Sequence, residues 1–184
     1  GTICMQGSQD AGNERATISM NQQSSGCKSG EWSVRGQRFD DWMEENNLNH
    51  VDYLKIDTEG FDADVIYGAE ESLKKGKVDL LSFEYHNIGR WEQLKLKDLV
   101  QWAENVGSGF DSYFIGDYQL FKMSRSCWRD VYELKEWSNV LMVRRGYPLH
   151  DALIREFAKG SCHHRDLAFI CTRFGGRQPT PGFA

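Results

Sequence analysis

Two short apolar segments, with an amphipathic stretch between them, most constrain what this chain can fold into. The first segment, 51–56, and the second, 78–83, are largely apolar, as expected for strands that are covered on both faces. Apolar residues at helical spacing, from Val65 to Leu73, separate the two. A crossover of this length makes the strands parallel and the connection right-handed. The sequence therefore predicts an α/β fold built on this unit, with a helix over 63–75.

Both predicted strands end in charged side chains. Asp57, Glu59 and Gly60 follow the first strand, and Glu84 and His86 end the second. In open α/β sheets, ligands bind outside the carboxyl ends of the parallel strands. We therefore expect these side chains to line one crevice. Two simpler alternatives are a turn that caps the next helix, for the first group, and a polar strand end facing water, for the second.

The remaining periodic segments extend this unit into a larger sheet with flanking helices. Asp62 and Asp64 fall at the start of the crossover helix, where negative charge suits its positive end. Beyond the unit, the patterns predict a short helix over Phe39 to Glu45, an amphipathic helix over 96–103, a hairpin over 111–123 that turns at Gly116 and Asp117, a last antiparallel strand over 137–145 at the end of the sheet, and a weak helix between Gly146 and Gly160.

The chain divides into three parts by composition. Residues 1–33 are rich in Gly, Ser, Asn and Gln and predict an irregular loop or hairpin. Residues 34–145 carry the α/β pattern, and 146–184 consist of the weak helix and an extended tail rich in Gly and Pro. With 184 residues and 40% hydrophobic content, the chain can bury one core.

Charge and cysteine content limit the possible surroundings and partners. A net charge of −5 argues against a general binder of nucleic acid or anionic membranes, and no apolar run approaches the roughly 20 residues that span a bilayer. Five cysteines form no regular framework, and an odd number favours reduced thiols over a full set of disulfides. We therefore expect a reducing, intracellular or organellar environment.

The strand ends and the helix between them resemble a known family. "VDYLKIDTEGFDADVIYGAEESL", followed by "VDLLSFEYH", is similar to the FkbM-type S-adenosylmethionine-dependent methyltransferases. The resemblance implies a class I, Rossmann-like methyltransferase sheet, of which this chain supplies strands four to seven. It also implies O-methylation of a hydroxyl, often on a sugar or natural product. The implied catalytic residues are Asp57, Glu59, Glu84 and His86, with Asp57 and Gly60 at the cofactor.

Methyl transfer to a hydroxyl needs little beyond alignment and a base. His86 is the best base by its intrinsic pKa, and a carboxylate could orient it. Asp57 could instead help to hold a divalent metal, but no complete ligand set accompanies it. Cys162, His163, His164 and Cys171 match no common zinc spacing, so we predict no metal site.

The chain departs from the family pattern at the cofactor site. The glycine-rich turn and the ribose-binding carboxylate of the family belong before residue 1. "MQGSQDAGNERA" contains glycines, but no apolar strand is evident before it and no helix pattern after it. We therefore do not expect S-adenosylmethionine to bind this chain alone.

An incomplete sheet has a further consequence. The family's fourth strand, 51–56, would be an exposed apolar edge, which soluble proteins avoid. Either further residues of a longer chain or partner subunits must cover it. The alternative function is a catalytically inactive, methyltransferase-like subunit that serves as a scaffold in a larger assembly.

Aromatic residues follow the predicted hairpin. Trp128, Trp137, Tyr132 and Tyr113 could form a wall for a substrate. Packing beneath the sheet is the more common role of such residues. We therefore expect all four to lie in the core.

Overall fold

A computed structural model describes residues 1–7, 16–19 and 26–158. The strands are β1 (Thr2–Gln6), β2 (Thr17–Ile18), β3 (Trp32–Arg35), β4 (Val51–Lys55), β5 (Val78–Tyr85), β6 (Phe110–Ile115), β7 (Leu120–Lys122) and β8 (Ser138–Arg144). The helices are α1 (Phe39–Glu45), α2 (Asp62–Tyr67), α3 (Glu70–Lys74), α4 (Leu96–Ala103) and α5 (His150–Phe157). None of the helices in this part of the chain has the length and apolar character needed to cross a membrane.

Five strands form a mixed sheet in the order β4-β5-β8-β6-β7. β4 and β5 are parallel, with Val51 opposite Val78 and Lys55 opposite Ser82. The predicted parallel pair is therefore confirmed, as is the α/β fold class. The predicted hairpin is also confirmed, since β6 and β7 are antiparallel and joined by a turn at 116–119.

The crossover contains two helices where the sequence predicts one. α2 ends at Tyr67 and α3 begins at Glu70, with Gly68 and Ala69 between them. Asp40 of α1 accepts hydrogen bonds from the backbone N–H groups of Glu71 (3.0 Å) and Ser72 (2.8 Å). These groups lie in the first turn of α3 and would otherwise lack partners. The Asp40 side chain of α1 thus caps the beginning of α3, which makes α3 a helix separate from α2.

The prediction that places the last strand at the end of the sheet is wrong. β8 is antiparallel, as expected, but it lies between β5 and β6 and pairs with both. Val140 and Met142 belong to the main core on one face of the sheet. Leu141 and Val143 pack into a second cluster on the other face. A strand with apolar side chains on both faces is stabilised most by an interior position.

The two faces of the sheet are covered unequally. α2, α3 and α4 pack on one face, where they form the main core with Ile56, Leu81, Phe83 and Tyr85. On the other face, α5 packs near β8, β6 and β7. At the β4 end of this second face, Tyr53 is 54% exposed. Within the described residues, this corner of the sheet faces solvent.

The four aromatic residues predicted in the core do not all lie there. Tyr113 and Tyr132 are buried, and Trp128 packs partly buried against the main core. Trp137 is 52% exposed, so the prediction is wrong for this residue. The indole precedes β8, beyond the apolar part of that strand.

The N-terminal residues form a separate small sheet in the order β2-β1-β3, antiparallel throughout. β1 thus leads into the glycine-containing segment at residues 5–16. The expectation that no strand comes before this segment is therefore wrong. Because β1 is antiparallel and lies outside the five-stranded sheet, it does not make the segment a cofactor loop of the parallel type. Residues 8–15 of the segment lie outside the described residues.

The expectation of reduced thiols is wrong. Cys4 of β1 and Cys27 form a disulfide, with their Cα atoms 5.3 Å apart, and Cys127 is also disulfide-bonded. Pairing of β1 with β3 brings Cys4 close to the loop that contains Cys27, which spacing alone does not reveal. Disulfides persist in oxidising environments, so the bond argues against the expected reducing compartment. The proposed Cys162–Cys171 cluster and the extended tail lie outside the described residues.

Loss of the Cys4–Cys27 disulfide is expected to weaken the small sheet. The two cysteines are 23 residues apart, and closing a loop of this size constrains the unfolded chain. Replacing both with alanine should lower the free energy of unfolding by about 2 kcal/mol. Urea unfolding followed by circular dichroism measures the effect. An unchanged midpoint would contradict it.

Candidate active site

The carboxyl ends of β4 and β5 lie side by side. Lys55 is opposite Ser82, and the N–H of Ile56 donates to the carbonyl of Ser82 at 2.8 Å. Continuing this parallel register by two residues brings Asp57 beside Glu84. The two charged segments therefore follow directly from paired positions of β4 and β5.

Alternation along the strands puts the polar side chains on one face. The hydroxyl groups of Tyr53 and Ser82 are 2.6 Å apart, and Lys55 Nζ lies 2.9 Å from Asp57 Oδ2. The hydrogen bond to Asp57 is the main cause that raises the pKa of Lys55, and the charge of Glu84 adds to it. Glu84 shares this face by strand alternation, and His86 follows the end of β5 at Tyr85. Lys55 therefore lies close to both Asp57 and Glu84 on the sparsely covered side of the sheet, whereas His86 is buried.

Glu59 lies beyond Asp57, in the segment that follows β4. It occupies a tight turn with Gly60, in which both residues have positive φ, 50° and 94°. The N–H of Phe61 closes the turn on the carbonyl of Thr58, at 3.4 Å. The backbone carbonyl of Glu59 accepts a hydrogen bond from Thr17 Oγ1 at 3.2 Å, and within the described residues its carboxylate makes no hydrogen bond or ion pair. A non-glycine residue at positive φ is strained, and here it lies next to the candidate site.

Gly60 has a packing role that the sequence does not show. A Cβ atom at Gly60 would lie 2.2 Å from the carbonyl oxygen of Ile88. The carbonyl of Gly60 accepts from the N–H of Arg90 at 3.0 Å. The turn after β4 therefore packs backbone to backbone against the segment after β5. This contact fixes the distance between the two strand ends.

His86 is buried and held by the main chain. Its Nδ1 accepts a hydrogen bond from the N–H of Ile88 at 3.2 Å. In the neutral ring, the proton then resides on Nε2. Nε2 is itself buried, without a hydrogen-bond partner in the described part of the chain. In this arrangement His86 can donate a hydrogen bond but has no free lone pair with which to accept a proton.

Trp137 lies next to His86. It is the one of the four aromatic residues for which the predicted place in the core is wrong. Its ring centroid lies 4.5 Å from that of His86, with the two planes inclined by 31°. Its Nε1–H donates to Glu84 Oε2 at 3.0 Å. A half-exposed and a buried tryptophan look alike in a sequence, so only the fold reveals this position.

Asp62 is a second residue whose place the sequence does not reveal. Its carboxyl group is fully buried, and neither oxygen has a hydrogen-bond partner among the described residues. Burial raises the pKa of Asp62, while nearby backbone groups and His86 favour its charged form. From the sequence, Asp62 is predicted to be an ordinary exposed acid at a helix start. Its burial is therefore not predictable from the sequence.

Replacing Asp62 with asparagine is expected to change how stability depends on pH. A carboxyl whose pKa is higher in the folded than in the unfolded protein loses stability as pH rises from its unfolded pKa through its folded pKa. Urea unfolding between pH 3.5 and 7 should therefore show Asp62→Asn gaining stability relative to wild type as pH increases. Asp41→Asn, at an exposed residue of α1, is the control. A stability difference that is constant with pH would contradict the prediction.

Two groups of described side chains are close enough together to share a metal ion. One is His50, Asp52 and Asp79, at the opposite, amino end of β4 and β5. Arg144 already holds one oxygen of Asp79 through its Nε, at 2.9 Å. The other is Cys4, Cys27 and Glu31, whose two cysteines are bonded to each other. Neither group includes Asp57.

Comparison with known proteins identifies the class. Residues 6–110 match the family model of the methyltransferase FkbM domain. Because this is more than half of the chain, the protein belongs to that family. The match begins earlier than the predicted 34–145 domain and includes most of the small sheet.

One similar curated protein is the 2-O-methyltransferase NoeI of Sinorhizobium fredii (strain NBRC 101917 / NGR234). It is 35% identical to this chain over 69 residues, which are 37% of this chain and 28% of the relative. The chain thus spans less than a third of the length of that relative. No solved structure matches the chain.

Proposed function

We propose that this chain is the acceptor-activating part of an S-adenosylmethionine-dependent O-methyltransferase, and that its sheet represents strands four to seven of a class I fold. The observation that carries the proposal is that Lys55 lies close to Asp57 and Glu84 at the carboxyl ends of two parallel strands, in a member of the FkbM family. His86 is linked to Glu84 through Trp137. The name of the relative, a 2-O-methyltransferase, supports a hydroxyl acceptor.

The hydroxyl must lose a proton as it attacks the methyl group. Glu84 is better placed than His86 to accept it, because the Nδ1 lone pair of His86 is occupied by the N–H of Ile88. Glu84 Oε2 is held by Trp137, and Oε1 has no hydrogen-bond partner among the described residues. Lys55 holds Asp57, so a second carboxylate is fixed nearby to orient the acceptor.

The described residues fit only part of the cofactor. S-adenosylmethionine would supply the methyl group, and the backbone of the turn at Gly60 with the carboxylate of Asp57 would hold part of it. The described residues offer no glycine-rich turn after a parallel strand for the adenosine. We propose that protein outside them holds this half of the donor.

The β4 edge supports the need for such protein. Within the described residues β4 pairs on one side only, and Tyr53 on its second face is more than half exposed. Unpaired edges attract other strands. The remainder of a longer chain or a partner subunit would pair here. Pairing of this edge with a partner subunit would also suit the second candidate function, a scaffold subunit without activity.

Calorimetry separates these cases. S-adenosylmethionine is titrated into the 184-residue chain and into the protein purified from its native cells, so that whatever covers β4 is retained. Binding by the native form alone would support the enzyme. Absence of binding in both would support the scaffold. Micromolar binding by the chain alone that is lost in Asp57→Ala would show that the cofactor site lies within these residues.

Replacing Glu84 with glutamine tests the proposed proton acceptor. The variant keeps the shape of the side chain but cannot take up a proton, so we expect kcat to fall about 10²–10⁴-fold. Transfer of radiolabelled methyl from S-adenosylmethionine to methyl glycosides of common hexoses, by natively purified protein, is the measurement. Glu71→Gln, on the exposed surface of α3, is the matched control. Unchanged kcat in Glu84→Gln would exclude Glu84 as the base.

A further inference from the structure

The register of β5 and β8 fixes the position of Trp137. Glu84 lies opposite Asn139, and Tyr85 lies opposite Ser138. Extending this antiparallel register by one residue puts Trp137 opposite His86. Directly opposite residues share a face, and Glu84 is then the diagonal neighbour of Trp137 on that face. The sheet itself therefore brings the indole to both polar side chains.

Trp137 belongs to a continuous set of contacts. Gly60 packs on Ile88, the N–H of Ile88 holds His86, His86 packs against Trp137, and Trp137 donates to Glu84. The turn after β4 is thus linked through the indole to the proposed proton acceptor. A shift at any member of this set would be passed to the Glu84 carboxylate.

We infer that Trp137 is a positioning residue, which holds the Glu84 carboxylate by its indole N–H and is itself held in place by packing on His86. The inference rests on the proposed function. With Oε2 engaged, the carboxylate has one preferred orientation, and Oε1 remains available to the acceptor hydroxyl. Preorganised groups of this kind need no reorientation when the reaction occurs.

Burial of apolar surface does not account for this tryptophan. Trp91, in the core, is fully buried between Phe83 and Tyr85. Trp137 leaves about half of its surface exposed and packs against an imidazole. Its ring contact and its hydrogen bond are both with polar groups of the site. A residue that served packing alone would gain more from an interior position.

The first test is spectroscopic and does not depend on activity. In the ¹H–¹⁵N spectrum of the full chain, Glu84→Ala should shift the Nε1–H resonance of Trp137 upfield and leave that of Trp42 unchanged. Trp137→Phe should alter the ring-proton shifts of His86. If the Nε1–H resonance of Trp137 does not respond to Glu84→Ala, the hydrogen bond is absent and the inference is overturned.

The second test is kinetic, with natively purified protein, S-adenosylmethionine and the same glycosides. Trp137→Phe keeps an aromatic ring on His86 but removes the donor. A hydrogen bond to a charged group is worth about 10- to 100-fold, and we expect a loss of that size in kcat with KM changed less than about twofold. Trp42→Phe, at a half-exposed position on α1, is the matched control and should leave both constants unchanged.

The outcomes separate the inference from the proposed function. An active wild type with unchanged kcat in Trp137→Phe, or with only KM raised, overturns the positioning role while the methyltransferase stands. A natively purified wild type that transfers no methyl group overturns the proposed function and, with it, the catalytic role of Trp137. The expected spectroscopic shifts together with a lower kcat support both.

Discussion

Replacing Trp91 with alanine is expected to destabilise the protein by about 3–5 kcal/mol, the usual cost of removing a large aromatic side chain from a core. Trp91 is fully buried. It stacks on Phe83, with ring centroids 5.8 Å apart, and meets Tyr85 edge-on at 5.1 Å. Phe83 and Tyr85 flank Glu84 on β5, so the same packing supports the candidate site from its core side.

Urea unfolding followed by circular dichroism measures this effect. Trp42→Ala is the matched control, because Trp42 is 43% exposed on α1, and its loss should cost within about 1 kcal/mol. The two variants remove the same side chain from a buried and an exposed position. Equal destabilisation by both would contradict the assignment of Trp91 to the core.

Replacing Gly60 with alanine is expected to cost about 3 kcal/mol and to displace the candidate site. Part of the cost comes from its φ of 94°, which side-chain-bearing residues rarely adopt. The rest comes from the new Cβ, which would meet the backbone carbonyl of Ile88 at 2.2 Å. A backbone neighbour cannot rotate away, so the segments after β4 and β5 must separate.

Gly146→Ala separates the two causes. Gly146 also has positive φ, 79°, but a Cβ there would meet no atom within 4 Å. We expect it to cost about 1 kcal/mol, from conformation alone. Urea unfolding of both variants gives the difference, which is the cost of the contact with Ile88. A similar loss in the two variants would show that the strand ends are not packed together.

Sequence patterns could predict the elements that depend on neighbouring residues. The apolar runs and the length of the crossover predicted that β4 and β5 are parallel. The parallel pairing in turn predicted that the charged residues at the two strand ends lie at the same edge of the sheet. The pairing of strands that are far apart in the sequence was harder to predict. The apolar character of β8 predicts a strand, but whether it lies at the edge or inside depends on α5, which packs against Leu141 and Val143 on the second face.

The site was predictable only in part, for similar reasons. The sequence places Asp57, Glu84 and His86 at or just after the strand ends, but it does not show that Glu59 lies in a tight turn with positive φ. Asp62 is the residue type that commonly starts a helix, so its burial leaves no mark in the sequence. The Cys4–Cys27 bond depends on pairing between β1 and β3, which an irregular, polar composition conceals.

The interior position of β8 affects the order in which the protein can fold during synthesis. Within residues 26–158, β5 and β6 form no ladder with each other and are joined through β8, which follows both in the chain. The ribosome must therefore release residues up to Arg144 before the two halves can join. Until then, an apolar edge of β5 stays unpaired, and such transient edges promote aggregation. Slow synthesis of the residues between β5 and β8 would lengthen the time during which the edge of β5 is unpaired and can aggregate.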